Sequence, residues 1–256
     1  MSNVRKKMWC IAQIVLFCLL YSNWLPAQLL IPQDEEKQIA HFLWGLAQQT
    51  PAQQAELIGD LLAKAEQNNA TARFLTLAEK YLYDPNSPYR NDEQYLLFLQ
   101  YAAEQQLREY VNNPRYQKHY ALVQKNRVGY KAMDFAYITQ AGEKGKLYNL
   151  QSQYILLFFH DPNCEECQYM RQQLGNQHAH FAQKGVQVVA VYIDEDVAAW
   201  KKAQYPSAWV SVYAPEIDKQ DLYDIKALPT LYLLDAQKRV VIKDGTLKEI
   251  EKVCKV

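Results

Sequence analysis

The sequence predicts two unlike halves: an all-α N-terminal domain and a C-terminal α/β domain in which a central mixed sheet is flanked by helices. Three observations predict it. Apolar residues recur at helical spacing from about Asp34 to Lys125, short apolar strands alternate with helices from Asn126 onward, and Cys164-Glu165-Glu166-Cys167 follows one of those strands. A chain of 256 residues with 49% hydrophobic content can bury two modest cores and lies far from the composition of a disordered protein.

In the first half, Ile39, Phe42, Leu43 and Leu46 share one helical face, as do Leu57, Leu61 and Leu62 in a second segment and Phe74, Leu77, Ala78 and Tyr81 in a third. Pro51 suits the first turn of the second helix. Asp84-Pro85-Asn86-Ser87-Pro88 is turn chemistry before a fourth helix, Asn91 to Leu107, which Asn113 and Pro114 close off. The expected domain, residues 28–125, is a small antiparallel helical array without a fixed-period repeat. Its tyrosines Tyr81, Tyr83, Tyr89, Tyr95 and Tyr101 read as packing residues, with a partner-binding face as the alternative.

In the second half, residues 126–256, Ala132 to Thr139 and Lys146 to Leu150 read as a hairpin and Tyr154 to Phe159 as a buried strand. A helix from Cys164 to Phe181 and a second buried strand, Val186 to Ile193, follow. Then come a helix from Glu195 to Gln204, a strand from Trp209 to Tyr213 and a helix from Asp218 to Ile225. Thr230 to Leu234 and Arg239 to Lys243 form an antiparallel pair, and Thr246 to Val253 is the closing helix. Strands separated by helices imply parallel crossovers and a sheet covered on both faces.

Residues 1–27 read as a secretory signal peptide: Arg5, Lys6 and Lys7 without an acid, an apolar run from Met8 to Leu20, and Leu25-Pro26-Ala27 before Gln28. A retained membrane anchor over Met8 to Leu25 and a lipoprotein signal ending at Cys18 are the competing readings, and Phe17 before Cys18 argues against lipidation. Export places the protein in the periplasm or cell envelope, with membrane attachment only if the segment is retained. Removing three of 28 basic residues leaves 25 against 28 acidic ones, a net charge of −3. No basic stripe remains to neutralise phosphates, which argues against nucleic acid as a partner.

Cleavage would also remove Cys10 and Cys18 and leave Cys164, Cys167 and Cys254. One close pair plus a leftover is no disulfide framework; it suits a redox site. Two thiols at this spacing, after a buried strand and at the start of a helix, can form and break a disulfide with a substrate. His160, His178 and His180 near the pair raise a metal site, but His178 and His180 stand two residues apart and face different sides of a helix. No metal or cofactor is expected. His160 is placed on the active-site loop, where it would favour the thiolate if protonated. Cys254 reads as a packing residue or free thiol, and Asp194-Glu195-Asp196 as a helix cap with first-turn acids. Trp200 and Trp209 read as packing residues.

The second half resembles thioredoxin-like proteins of the TlpA and ResA type. The resemblance rests on Val128-Gly129, Asp134-Phe135 and the Leu147 region, on the strand with Cys164-Glu165-Glu166-Cys167, on Val191-Tyr192-Ile193-Asp194-Glu195-Asp196, and on Leu228-Pro229-Thr230-Leu231-Tyr232-Leu233-Leu234-Asp235. It covers about the last 130 residues. The helical half is similar to an uncharacterised domain that precedes such modules in bacterial envelope proteins. The resemblance implies that Cys164 is the nucleophile, that Cys167 resolves the mixed disulfide, and that Pro229 lies beside them with a cis bond. It further implies protein disulfides as substrates and a thiol as electron donor. The helix N-terminus supplies the physical reason, since its amides and dipole favour a thiolate.

Two departures stand out. Glu165 and Glu166 occupy positions where many members carry Pro or Gly, and carboxylates beside a thiolate oppose the helix dipole, so a more reducing couple than in strongly oxidising members is expected. Phe158, six residues before Cys164, replaces a buried acid of thioredoxins, so protons must move through solvent, His160 or Glu166. Peroxiredoxins use a Pro-x-x-x-Thr-x-x-Cys context, which Asp161-Pro162-Asn163-Cys164 lacks. The function expected is an exported thiol–disulfide oxidoreductase that reduces or isomerises envelope protein disulfides. The alternative is an envelope binding or scaffold protein whose dithiol is slow or vestigial.

Overall fold

A computed structural model describes residues 33–255. The signal-peptide reading of residues 1–27, with Cys10 and Cys18, lies outside the described residues. The chain divides into two compact units between Tyr120 and Ala121.

The first unit is helical. Helix α1 (Gln33–Ala47) buries Leu43 and Leu46. Helix α2 (Pro51–Gln67) starts at a capping box in which the Thr50 and Gln53 side chains each accept from the other's backbone N–H, and Pro51 fills the first turn, where its missing N–H costs nothing. Ile58, Leu61, Leu62 and Ala65 form its buried face. Helix α3 (Thr71–Ala78) runs into a π-helical turn, Glu79–Tyr83, that buries Tyr81 and Leu82. Asn91 caps α4 (Asp92–Glu104) by accepting from Gln94 N at 3.0 Å.

Beyond Glu104 the chain corrects the expected boundary. Gln106 turns left-handed at φ 53°, a short α5 (Arg108–Val111) follows, and Pro114 opens α6 (Pro114–Val123) rather than only ending a helix. Tyr81 and Tyr95 are buried, and Tyr83 stacks on Tyr95 at 4.8 Å and meets the His119 ring, tilted, at 4.3 Å, so these rings pack the unit.

The second unit is built on one seven-stranded sheet of order β2-β1-β5-β4-β3-β6-β7. Its strands are β1 (Ala136–Thr139), β2 (Lys144–Lys146), β3 (Tyr154–Phe159), β4 (Val186–Tyr192), β5 (Val210–Tyr213), β6 (Thr230–Asp235) and β7 (Val240–Lys243). Strands β3, β4 and β5 run parallel, and β6, β7, β1 and β2 join antiparallel. The helices are α7 (Glu165–Asn176), α8 (His178–Gln183), α9 (Val197–Lys202), α10 (Glu216–Lys219) and α11 (Leu247–Cys254).

Three local expectations need correction. Lys146 to Leu150 is not the second hairpin strand, because the chain turns into a 3-10 helix at Leu147–Asn149 and pairing ends at Lys146. The helix expected from Cys164 to Phe181 breaks at Gln177, after Gly175 and Asn176, two poor helix formers. The helix expected over Asp218 to Ile225 stops at Lys219, where Asp221 adopts φ 49°.

Period-two alternation in the central strands explains why they read as unbroken apolar runs. Ile155, Leu157 and Phe159 enter one core with Val189, Val191, Tyr232 and Leu234, whereas Leu156 and Phe158 enter the other with Val188, Ala190, Leu231 and Leu233. Cys167, Leu174 and Phe181 from α7 and α8, with Ile250 and Cys254 from α11, cover the second core. Leu157→Ala opens a cavity between Val189 and Tyr232, its partners on either side, and should cost about 2–5 kcal/mol. Urea unfolding of the full chain checks this, and a loss below about 1 kcal/mol would contradict a closely packed centre.

Candidate active site

Strand β3 ends at Phe159, and its end carries the site. His160 is buried, and its N–H donates to Val191 O at 3.2 Å, which extends the pairing with β4 by one residue. The chain then leaves the sheet. The Asp161 carboxylate accepts from Asn163 N at 2.7 Å, the Asp161 carbonyl accepts from Cys164 N at 3.2 Å, and this Asx turn delivers Cys164 to the N-cap of α7. There its sulfur accepts from Cys167 N at 3.2 Å, the place an N-cap side chain takes in any helix.

The same strand explains why residues more than sixty positions away reach the dithiol. β6 pairs antiparallel with β3 and sets Thr230 opposite Phe159. Pro229 therefore enters the sheet beside the end of β3, and the Leu228-Pro229 bond is cis. The carbonyl of Leu228 lies 4.0 Å from Cys164 Sγ, and Thr230 Oγ1 donates to Ala227 O at 2.6 Å to close the turn. Cys164, Cys167 and Pro229, the three residues singled out in the sequence, thus converge on one point. Leu228 was not singled out; the only signal for it is that it precedes Pro229.

The two thiols differ in surroundings. Cys164 is half-buried, with the Glu166 carboxylate 3.6 Å from its sulfur. Cys167 is buried, and desolvation together with a hydrogen bond to Cys164 pushes its pKa up to about 12, against a smaller opposing effect from the Asp161 backbone. Cys167 is a neutral thiol near pH 7. Burial likewise pushes up the thiol of Cys254.

His160 is not the protonated helper the sequence suggested. Burial, with a smaller contribution from the Arg171 charge, lowers its pKa to about 3, so it is a neutral ring at any physiological pH. It stacks on Phe158 at 4.8 Å, and its Nε2 lies 3.4 Å from the Tyr205 hydroxyl. His178 and His180 are placed on α8, and among the described residues no group of three or more metal-ligating side chains converges. Asp196 caps α9 by accepting from Ala199 N at 3.0 Å, as the cap reading of 194–196 requires.

Behind the turn before Pro229 lies a buried ion group that the sequence did not reveal. Lys226 Nζ is 3.1 Å from Asp224 Oδ2 and 3.9 Å from Asp244 Oδ2, with Lys226 and Asp224 almost inaccessible. These charges come from the segment entering β6 and from the residue after β7, and spacing alone does not show that they meet.

Comparison with known proteins assigns residues 26–126 to a domain of unknown function (DUF5106) and residues 128–243 to the AhpC/TSA family. The chain is 29% identical over 124 residues to the thiol-disulfide oxidoreductase ResA of Bacillus subtilis (strain 168), a match covering 47% of this chain and 69% of that protein. It is 26% identical over 143 residues to ResA of Bacillus thuringiensis (strain Al Hakam), covering 53% and 82%. The crystal structure of a thioredoxin-like protein from Bacteroides caccae ATCC 43185 matches with a TM-score of 0.81 at 31% identity, over 93% of this chain and 87% of that one.

The buried neutral His160 gives stability a pH dependence. Unfolding restores the ordinary value near 6.5, so between 6.5 and 3 the unfolded chain binds the extra proton. The contribution is fully present above about pH 6.5 and is lost as pH falls toward 3, at up to about 1.4 kcal/mol per unit. His160→Phe, which retains a ring against Phe158, should therefore lose less stability than the wild type between pH 6.5 and 4.5. Urea unfolding at several pH values checks this, and parallel curves for the two proteins would sink it.

Proposed function

Because the chain belongs to the thioredoxin-like family, we propose that Cys164 and Cys167 make it an exported thiol–disulfide oxidoreductase that reduces or isomerises disulfides of envelope proteins. The observation that carries the reading is the asymmetry of the pair: a half-buried Cys164 sulfur at a helix N-cap, and a buried Cys167 one turn inside. Attack requires an accessible sulfur, and resolution requires a second one within reach of the first.

The Cys164 thiolate attacks the nearer sulfur of a substrate disulfide, forming a mixed disulfide and releasing one substrate thiol. Cys167 then gives up its proton and attacks Cys164 Sγ, which releases the second substrate thiol and leaves Cys164–Cys167 oxidised. Two electrons and two protons pass from the dithiol to the substrate. A thiol donor restores the pair. The segment of Leu228 and Pro229 lies alongside the reacting sulfur and lines the approach to it.

Export rests on the basic, apolar and small-residue pattern of residues 1–27. Reduction or isomerisation is favoured over net oxidation because strong oxidants of this kind owe their potential to a stabilised thiolate, and here a carboxylate, that of Glu166, stands 3.6 Å from Cys164 Sγ.

Cys164→Ser should abolish reduction of a protein disulfide, and Cys167→Ser should retain the first attack and accumulate a mixed disulfide visible by mass. The wild-type couple should titrate as one two-electron step at or below about −270 mV, the value for thioredoxin. Hydrogen peroxide is the control oxidant and should react more slowly than a disulfide, since Cys164 lacks the spaced threonine. No reversible step between the two cysteines would leave the chain as a binding or scaffold protein.

A further inference from the structure

Resting on the oxidoreductase reading, we infer that Glu166 makes the site selective for cationic disulfides, meaning cystines flanked by lysine or arginine in the substrate protein. Apart from Cys167, the ionisable side chain that the described residues place against the attacking sulfur is an acid: Glu166 Oε2 is 3.6 Å from Cys164 Sγ. On another side stands the Leu228 carbonyl at 4.0 Å, so among the described residues the sulfur meets two oxygen atoms and the N–H of Cys167. Glu166 and its neighbour Glu165 are exposed, and Asp161 is half-buried in the turn before them.

The cations of the same elements are committed elsewhere. The Arg171 guanidinium, later on α7, lies over the Tyr205 ring at 5.7 Å, and its charge reaches His160 as well. Lys226, in the segment leading to Pro229, is buried against Asp224 and Asp244. Ala227, Leu228 and Pro229 carry no charge. A substrate approaching Cys164 therefore meets the negative charges of Glu165 and Glu166 in the first turn of α7 and a neutral wall at the entry to β6.

The chemistry sharpens this. As Cys164 attacks, the single charge of its thiolate spreads over the attacked and departing substrate sulfurs, beside the charge of the Glu166 carboxylate. A positive group beside the substrate disulfide compensates both charges, whereas a carboxylate there adds a third. Unit charges about 4 Å apart in water change a rate or equilibrium about fivefold, and more where solvent is excluded. Such contacts act on encounter and partner choice more than on raw affinity.

The test uses the reduced full chain and three small disulfides: cystamine, 2-hydroxyethyl disulfide and 3,3′-dithiodipropionate, which are cationic, neutral and anionic. Rates are read by mass after alkylation and normalised to those of 2-mercaptoethanol, which removes the preference any thiolate shows. The cystamine to dithiodipropionate ratio should exceed the reference by about tenfold or more at low salt and shrink at 0.5 M salt, where screening shortens to a few ångströms. Glu166→Gln should bring it several-fold closer to the reference.

Glu143→Gln, in the turn after β1 at the end of the sheet opposite the dithiol, removes the same charge and should leave the ratio in place. A wild-type ratio equal to the reference, or one untouched by Glu166→Gln, overturns the inference while the oxidoreductase reading stands. Failure to react even with the neutral disulfide removes both.

Discussion

The site depends on β3 being paired along both edges and buried on both faces. Its neighbour β4 is parallel and β6 antiparallel, so one register fixes Phe159 against Val191 and against Thr230. The first pairing decides where the chain leaves the sheet and hence where Cys164 starts its helix. The second decides that Leu228 and Pro229 arrive at the same point from the far end of the domain. A slip of one residue would exchange the two cores, moving Leu157 and Phe158 to each other's face. The alternating burial of six consecutive apolar side chains is therefore what specifies the active-site geometry.

In the proposed exchange, burial also separates the duties of the two sulfurs. Cys164 sits at the rim, where the N-cap position gives it the Cys167 N–H and contact with solvent. Cys167 joins the core formed with Leu156, Phe158 and Leu174, and the same desolvation that packs it holds its proton tightly. Under that proposal, resolution of a mixed disulfide waits on a proton acceptor. Phe158 stands where thioredoxins carry an acid, and His160, held near pKa 3 by its own burial, is too weak a base at neutral pH. Solvent at the half-buried Cys164, the Glu166 carboxylate and the departing substrate thiolate remain as acceptors.

Much of this is legible in the residues because the signals are local. The dithiol follows its strand directly, Leu228-Pro229-Thr230 announces the entry to β6, and Thr50, Asn91 and Asp196 mark helix starts by side-chain chemistry alone. The misreadings share a cause. Leu222 and Ile225 look like a helical face because nothing in their spacing reports the left-handed Asp221, and they pack on the first core without a helix. His160 next to a dithiol looks like a titrating partner, and only the fold shows Phe158 stacked on it and Val191 bonded to its backbone. Electrostatic character follows burial, and burial is set by contacts far apart in sequence.

The buried Asp224–Lys226–Asp244 group illustrates the same point in the segment that leads into β6. Pairing a lysine with two acids away from water seldom stabilises a fold beyond what apolar side chains of similar volume would provide. Its geometry instead constrains one segment: Asp224 and Lys226 flank Ile225, Lys226 reaches Asp244 after β7, and Leu228 follows two residues later. Removing one partner would leave the others charged and desolvated, so the segment has little freedom to move away. The Leu228 carbonyl that faces Cys164 is thus held from both directions, by the Phe159–Thr230 pairing ahead of it and by the ion group behind it.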